Sequence, residues 1–71
     1  MFLELYERTY NNCVFYRESG KKKELLNEIG ALRGIAYCIE AAVGEDNMEH
    51  LIDYPDFVKM IALQPELMEE K

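Results

Sequence analysis

The chain has 71 residues, of which 49% are hydrophobic and 31% are charged, and this composition excludes both a disordered chain and a membrane protein. A chain of this length has room for one small domain, residues 1–71, with a thin stability margin. The net charge of −6 at pH 7 disfavours direct binding to nucleic acid. Residues 1–44 carry six acidic and six basic side chains, whereas residues 45–71 carry eight acidic and two basic ones.

The N-terminal residues have no basic start and no uninterrupted apolar run, so they do not resemble a signal peptide. The longest weakly charged stretch, residues 29–43, is shorter than the ~20 residues that span a bilayer. We therefore expect a cytoplasmic protein without membrane contact. Cys13 and Cys38 are expected to remain free thiols in that compartment.

Helix 1 is predicted over about residues 2–18, because its apolar residues recur every three or four positions. The face they form comprises Leu3, Tyr6, Tyr10, Cys13, Val14 and Arg17. Phe15 is the one large apolar residue on the opposite, polar side. Gly20 follows the last periodic residue and is expected to end the helix, since glycine tolerates a positive φ.

Helix 2 is predicted over about residues 22–43, with an apolar seam in alternating steps of four and three. The seam comprises Leu25, Ile29, Leu32, Ala36, Ile39 and Val43. A turn near Gly20 would fold the two helices into an antiparallel hairpin in which facing residue numbers sum to about 39. Cys38 then lies roughly 18 Å from the point that faces Cys13, beyond disulfide reach. Both thiols are predicted to be buried.

Two glycines inside helix 2 require an explanation, because each costs roughly 1 kcal/mol relative to alanine. Gly30, Gly34, Cys38 and Ala41 form a smooth stripe away from the seam, which favours the close approach of another helix. A kink or a helix end near residue 30 is the alternative. We expect a homo-oligomer, most simply a two-fold dimer. Its candidate interface residues are Gly30, Gly34, Tyr37, Cys38, Ala41, Phe15 and Tyr16.

Two short helices are predicted after Gly44, over about residues 47–53 and 55–63. Asp46 and Glu49 have the spacing of a capping box at the start of helix 3. Pro55 is expected to open helix 4 and Pro65 to end it. The apolar side of helix 4 is assigned to Phe57, Val58, Ile61 and Leu63, and residues 64–71 are predicted to be a frayed acidic tail.

Two polar clusters are candidate binding sites, each with a simpler explanation. Asp46, Glu49, His50 and Asp53 would share one helix face and could hold a divalent metal, although a cap and a solvated acidic face explain them more readily. Arg17, Lys21, Lys22 and Lys23 form a basic turn. It could bind an anion such as phosphate, or it could be a solvated turn that keeps an oligomer soluble.

Catalysis has little support in the sequence, which contains one serine, one threonine and one histidine. We expect no enzyme activity and no cofactor. The preferred hypothesis is a non-catalytic helical protein–protein interaction module, whose acidic C-terminal segment meets a basic protein or mimics nucleic acid. The alternatives are an anion binder at Lys21–Lys23 and, less favoured, a metal-dependent activity at Asp46, His50 and Asp53.

Overall fold

The structure is a computed structural model that describes residues 2–69, with side chains described over residues 3–69. It contains four helices: α1 (Phe2–Ser19), α2 (Lys22–Val43), α3 (Glu45–Leu51) and α4 (Tyr54–Glu69). No strand occurs within that range. The predicted all-α fold class is confirmed, and the bounds of the first two helices agree with the prediction to within a residue.

The connection between α1 and α2 is a tight turn at Gly20, whose φ is +74°. The Lys21 N–H donates to the Tyr16 carbonyl at 3.0 Å and the Gly20 N–H donates to the Arg17 carbonyl at 3.3 Å, the hydrogen-bond pair of a Schellman motif. Farther from the turn, Asn12 Nδ2 donates to Glu28 Oε1 at 3.1 Å. Residues 12 and 28 sum to 40, which is compatible with the predicted pairing of the two helices.

The core lies along α2, which contacts all three of the other helices and packs most extensively on α1. Five of the six predicted seam residues of α2 are buried, and the sixth, Val43, is half-buried. From α1 the core receives Tyr6, Thr9 and Cys13, and from the C-terminal half it receives Met48, Ile52 and Met60. The periodicity of α2 therefore identifies the centre of the fold correctly.

The predicted start of α3 is wrong. Gly44, at φ +89°, donates to the Glu40 carbonyl at 2.7 Å to close α2, and its own carbonyl accepts the Met48 N–H at 3.0 Å. Because one glycine both ends α2 and begins α3, the new helix starts at Glu45. Its N-cap makes no side-chain hydrogen bond, so the predicted capping box at Asp46 does not form.

The predicted end of α4 is also wrong, because the helix continues through Pro65 to Glu69. Met60 is fully buried and Leu67 packs against the core, so the apolar stripe extends past the proline. Val58, assigned to the apolar side, is 48% exposed. Residues 64–69 of the predicted tail are helical, and residues 70 and 71 lie outside the described range.

Within residues 2–69, no helix combines the length and the apolar character needed to cross a membrane. The molecule measures 37 × 20 × 17 Å. The side of α2 opposite its seam is exposed, so none of the other helices in the described range packs against it.

Candidate functional site

The outer α2 face is the side of α2 that points away from the apolar seam between residues 27 and 42. All eight of its residues are exposed and none is charged: Asn27, Gly30, Ala31, Gly34, Tyr37, Cys38, Ala41 and Ala42. The charged residues of the same span lie elsewhere: Glu28 and Glu40 are half-buried near the seam, and Arg33 Nη1 donates to Gln64 Oε1 on α4 at 2.8 Å. The solvent side of a helix in a soluble protein normally carries charged and polar residues. This face does not.

The glycines of the outer α2 face have no explanation within the chain. A Cβ atom added at Gly30 or at Gly34 would meet nothing within 4 Å. The alternative of a helix end near residue 30 is excluded, since α2 is one helix from Lys22 to Val43. Two residues that cost roughly 1 kcal/mol each relative to alanine therefore create free space on an exposed surface.

The two cysteines are free thiols, as predicted, but only Cys13 is buried. The prediction that Cys38 is buried is wrong, because the small-residue side of α2 is uncovered in the single chain. Burial and, to a smaller degree, the Glu28 carboxylate raise the pKa of the Cys13 thiol to about 11, and Arg17 partly opposes both. Such a thiol is a packing residue rather than a nucleophile.

Phe15 lies off the core, as its position in the predicted helix indicates, and its side chain is 59% exposed. The ring contacts Tyr16 edge-on, with centroids 5.6 Å apart, and Tyr16 is half-buried. Both residues are on α1, whereas Tyr37 and the small-residue stripe are on α2. Their predicted part in an interface stays a prediction.

The basic turn offers less to an anion than the sequence implies. Arg17, Lys21, Lys22 and Lys23 are all exposed. Lys21 is the N-cap of α2, but its N–H already donates to the Tyr16 carbonyl, so it does not point at an incoming ligand. Glu24 in the first turn offsets part of the positive end of the helix. The anion site stays a prediction without a geometric feature in its favour.

The proposed metal ligands do not share one helix face, because Asp53 lies beyond the end of α3. Asp46 is in its first turn and His50 in its last. Asp53 instead caps α4: its Oδ1 accepts the Asp56 N–H at 3.3 Å, and its carbonyl accepts the Phe57 N–H at 3.0 Å. In the described part of the chain, no three His, Cys, Asp or Glu residues are placed to hold a metal ion.

Two surface clefts were not predicted. The α1–α3 cleft, of about 360 Å³, is lined by Leu3, Tyr6, Glu7, Tyr10, Asn11, Leu51, Ile52 and Asp53. A second, smaller groove of about 220 Å³ lies between α2, α3 and α4, and Arg33, Tyr37, Glu40, Tyr54 and Phe57 are among its lining residues. The first joins residues 3–11 to residues 51–53, and the second joins residues 33–40 to residues 48–61. Because each is formed by separate helices, no local sequence pattern could have indicated it.

Comparison with known proteins assigns neither a family nor a function to the chain. No protein-family model matches the chain, and no curated protein and no solved structure matches it either. The functional proposal therefore rests on the residues of this chain.

Proposed function

We propose that this protein is a non-catalytic helical interaction module that assembles with a second copy of itself through the outer α2 face. The observation that carries the proposal is the combination of eight exposed, uncharged residues with two glycines that no contact within the chain explains. Small residues on a helix surface let a second helix backbone approach closely, so that extended van der Waals contact replaces exposed apolar surface. In this proposal α1 and α2 act as an antiparallel hairpin that presents the face.

The placement of the charges is compatible with a second copy as the occupant of this face. Each chain carries a net charge of −6, which opposes self-association at long range. The outer α2 face itself has no charge, and the excess acid lies in residues 45–71. Two copies can therefore meet along α2 without placing like charges in contact, and the acidic segments remain at the periphery of the assembly.

The test is to place a charge on the face without disturbing the core. Ala41→Arg introduces a guanidinium within the proposed contact, near its C-terminal end, where a second helix would leave it buried without a partner. Ala62→Arg is the matched control, because Ala62 is also an exposed helical alanine but lies on α4. We expect wild type and Ala62→Arg to be dimers at micromolar concentration in sedimentation equilibrium, and Ala41→Arg to be a folded monomer.

Two results would contradict the proposal. A wild-type chain that stays monomeric up to several hundred micromolar would remove self-association altogether. Equal dimerisation of Ala41→Arg and wild type would show that the copies meet elsewhere. Circular dichroism of each variant establishes that the helices are intact, so a lost dimer is not confused with a lost fold.

The acidic segment supports a second part of the proposal, which is that the assembled module meets a basic partner in the cytoplasm. Residues 45–71 carry eight acidic and two basic side chains. A surface of this sign attracts a basic protein and repels nucleic acid. The strength of this attraction is expected to fall as the salt concentration rises.

A further inference from the structure

The α1–α3 cleft has an aromatic wall. The rings of Tyr6 and Tyr10 line it and stack with centroids 6.3 Å apart and an interplanar angle of 24°. Tyr6 is 5% exposed and Tyr10 is half-buried. Behind them, the Phe57 ring lies 6.2 Å from that of Tyr6. Packing against neighbouring side chains therefore fixes the positions of the two tyrosine rings.

The electrostatic character of the cleft is negative. The carboxylates of Glu7 and Asp53 line it, and no lysine or arginine is among the lining residues. The carboxylates of Asp53 and Asp56 lie close enough to Tyr6 and Tyr10 to add to the increase in their pKa values that burial causes, although Arg17 acts in the opposite sense on Tyr10. Both phenols are therefore neutral at physiological pH.

The amino-terminal end of α4 works against this negative character, since it carries a partial positive charge. The Asp53 carboxylate offsets part of this positive charge, because its Oδ1 accepts the Asp56 N–H at the start of α4. Glu7 and Asp53 line the cleft, whereas Asp56 and Arg17 do not. The formal charge of the two lining carboxylates exceeds the ~0.5 charge of a helix end. The balance remains in favour of a cation.

The remaining lining residues are Leu3, Leu51 and Ile52, which are apolar, and Asn11, which is polar. At about 360 Å³ the cleft is within the size range of small-ligand sites, ~300–1,000 Å³. It therefore offers a hydrocarbon surface beside aromatic rings and carboxylates.

We propose that the α1–α3 cleft binds an organic cation, namely an alkylammonium or guanidinium group with a short apolar stem. The charged head lies between the carboxylates of Glu7 and Asp53 and the tyrosine rings, where aromatic faces attract a cation. The stem packs along Leu3 and Leu51. A neutral molecule of the same shape gains only the apolar contact, and an anion is repelled.

This inference deepens the proposed binding of a basic partner, since a lysine or arginine side chain supplies the required chemistry. A free amine supplies it equally. It does not depend on self-association through α2, because the cleft and the outer α2 face are formed by different residues. The binding experiments on the cleft and the dimerisation experiments on α2 can therefore fail independently of each other.

The first experiment follows backbone and tyrosine-ring NMR shifts of the full chain during titration with three probes. They are n-butylammonium, the neutral 1-butanol, and a lysine tripeptide with blocked termini. We expect saturable shifts at residues 3–11 and 51–57 with n-butylammonium, and weaker binding of 1-butanol. If the cation comes from a partner chain, the tripeptide binds more tightly than n-butylammonium; if it is a free amine, the order is reversed.

The second experiment removes one charge at a time while keeping the shape of the cleft. Glu7→Gln and Asp53→Asn are the test variants, and asparagine retains the cap on α4 because it is as good an N-cap as aspartate. Each is expected to weaken n-butylammonium about two- to fivefold, the size of an exposed ion pair. Glu4→Gln, an exposed acid of α1 outside the cleft, is expected to change nothing.

Three results would overturn the inference. Equal affinity for 1-butanol and n-butylammonium would identify the cleft as merely apolar. An equal loss of affinity in Glu4→Gln would show that net charge, not the cleft, attracts the cation. If the tripeptide shifted only the acidic residues 45–50 and 66–69, a basic partner would still bind the protein, but the cleft would be excluded as its binding site.

Discussion

Cys13 illustrates how one buried side chain makes the stability of this small fold depend on alkaline pH. Its pKa is about 11 in the folded chain, against an ordinary value of 9.0. The unfolded chain therefore loses its thiol proton first as pH rises. The contribution of the thiol is fully present below pH 9 and is lost as the pH rises towards 11. Burial raises the pKa of Tyr6 as well, which continues the loss at higher pH.

We therefore predict that the free energy of unfolding decreases between about pH 9 and about pH 11, and that Cys13→Ala reduces this slope although it lowers stability at pH 7. Urea unfolding at fixed protein concentration measures both quantities. Thr9→Ala, which removes a buried side chain of the same helix that does not ionise, serves as the control and keeps the wild-type slope. A slope unchanged by Cys13→Ala would show that other groups cause the alkaline loss.

The role of Asp53 as the N-cap of α4 is indicated by the residues around it in the sequence. Asp53, Pro55 and Asp56 have the spacing of a capped helix start, with an acid at the N-cap, a proline in the first turn and a second acid three residues after the cap. This signal was present in the sequence, but the face-sharing pattern with His50 competed with it. The cap is the arrangement that forms.

At the scale of elements, Pro65 lies inside α4 and is the residue that least suits its helix. It has no N–H to donate to the Ile61 carbonyl, and proline in a helix interior costs ~3 kcal/mol. Pro55 lies in the first turn of the same helix, where an N–H has no partner within the helix. The two prolines thus form an internal comparison.

We predict that Pro65→Ala raises the free energy of unfolding by ~1–3 kcal/mol, whereas Pro55→Ala changes it by no more than ~0.5 kcal/mol. Both substitutions loosen the unfolded chain in the same way, so their difference isolates the restored hydrogen bond. Chemical denaturation monitored by circular dichroism provides the measurement. Equal effects of the two substitutions would mean that Pro65 costs nothing where it lies.

The helices were predictable where local chemistry and packing agree. The seam of α2 and the glycine at residue 20 satisfy both, so α1 and α2 were placed within a residue. The end of α4 depends on a tertiary contact instead, because Leu67 packs on the core past Pro65. The start of α3 depends on the backbone hydrogen bonds of Gly44, which both close α2 and begin α3. The α1–α3 cleft depends on contacts between residues far apart in sequence and was not predictable from periodicity.

At the scale of the whole molecule, the outer α2 face and the net charge have opposing consequences. The face favours association because it is small and uncharged, and the charge of −6 disfavours it at long range. Added salt screens the repulsion and leaves the apolar contact intact. The proposed dimer is therefore expected to tighten as salt increases, whereas binding of a basic partner weakens.

The glycines of α2 separate the stability of one chain from that of the assembly. Replacing both Gly30 and Gly34 by alanine adds Cβ atoms that meet nothing within 4 Å in the single chain, so the isolated fold gains up to ~1 kcal/mol at each position. In a dimer the same atoms hold the partner helix away. We predict that the double variant melts higher than wild type at concentrations low enough for wild type to be monomeric, by roughly 4–8 °C per kcal/mol for a domain of this size. Wild type gains stability with concentration by mass action, and the variant does not. Thermal melts over a hundredfold range of concentration distinguish the two chains, and a variant that keeps the wild-type concentration dependence would place the contact elsewhere on the surface.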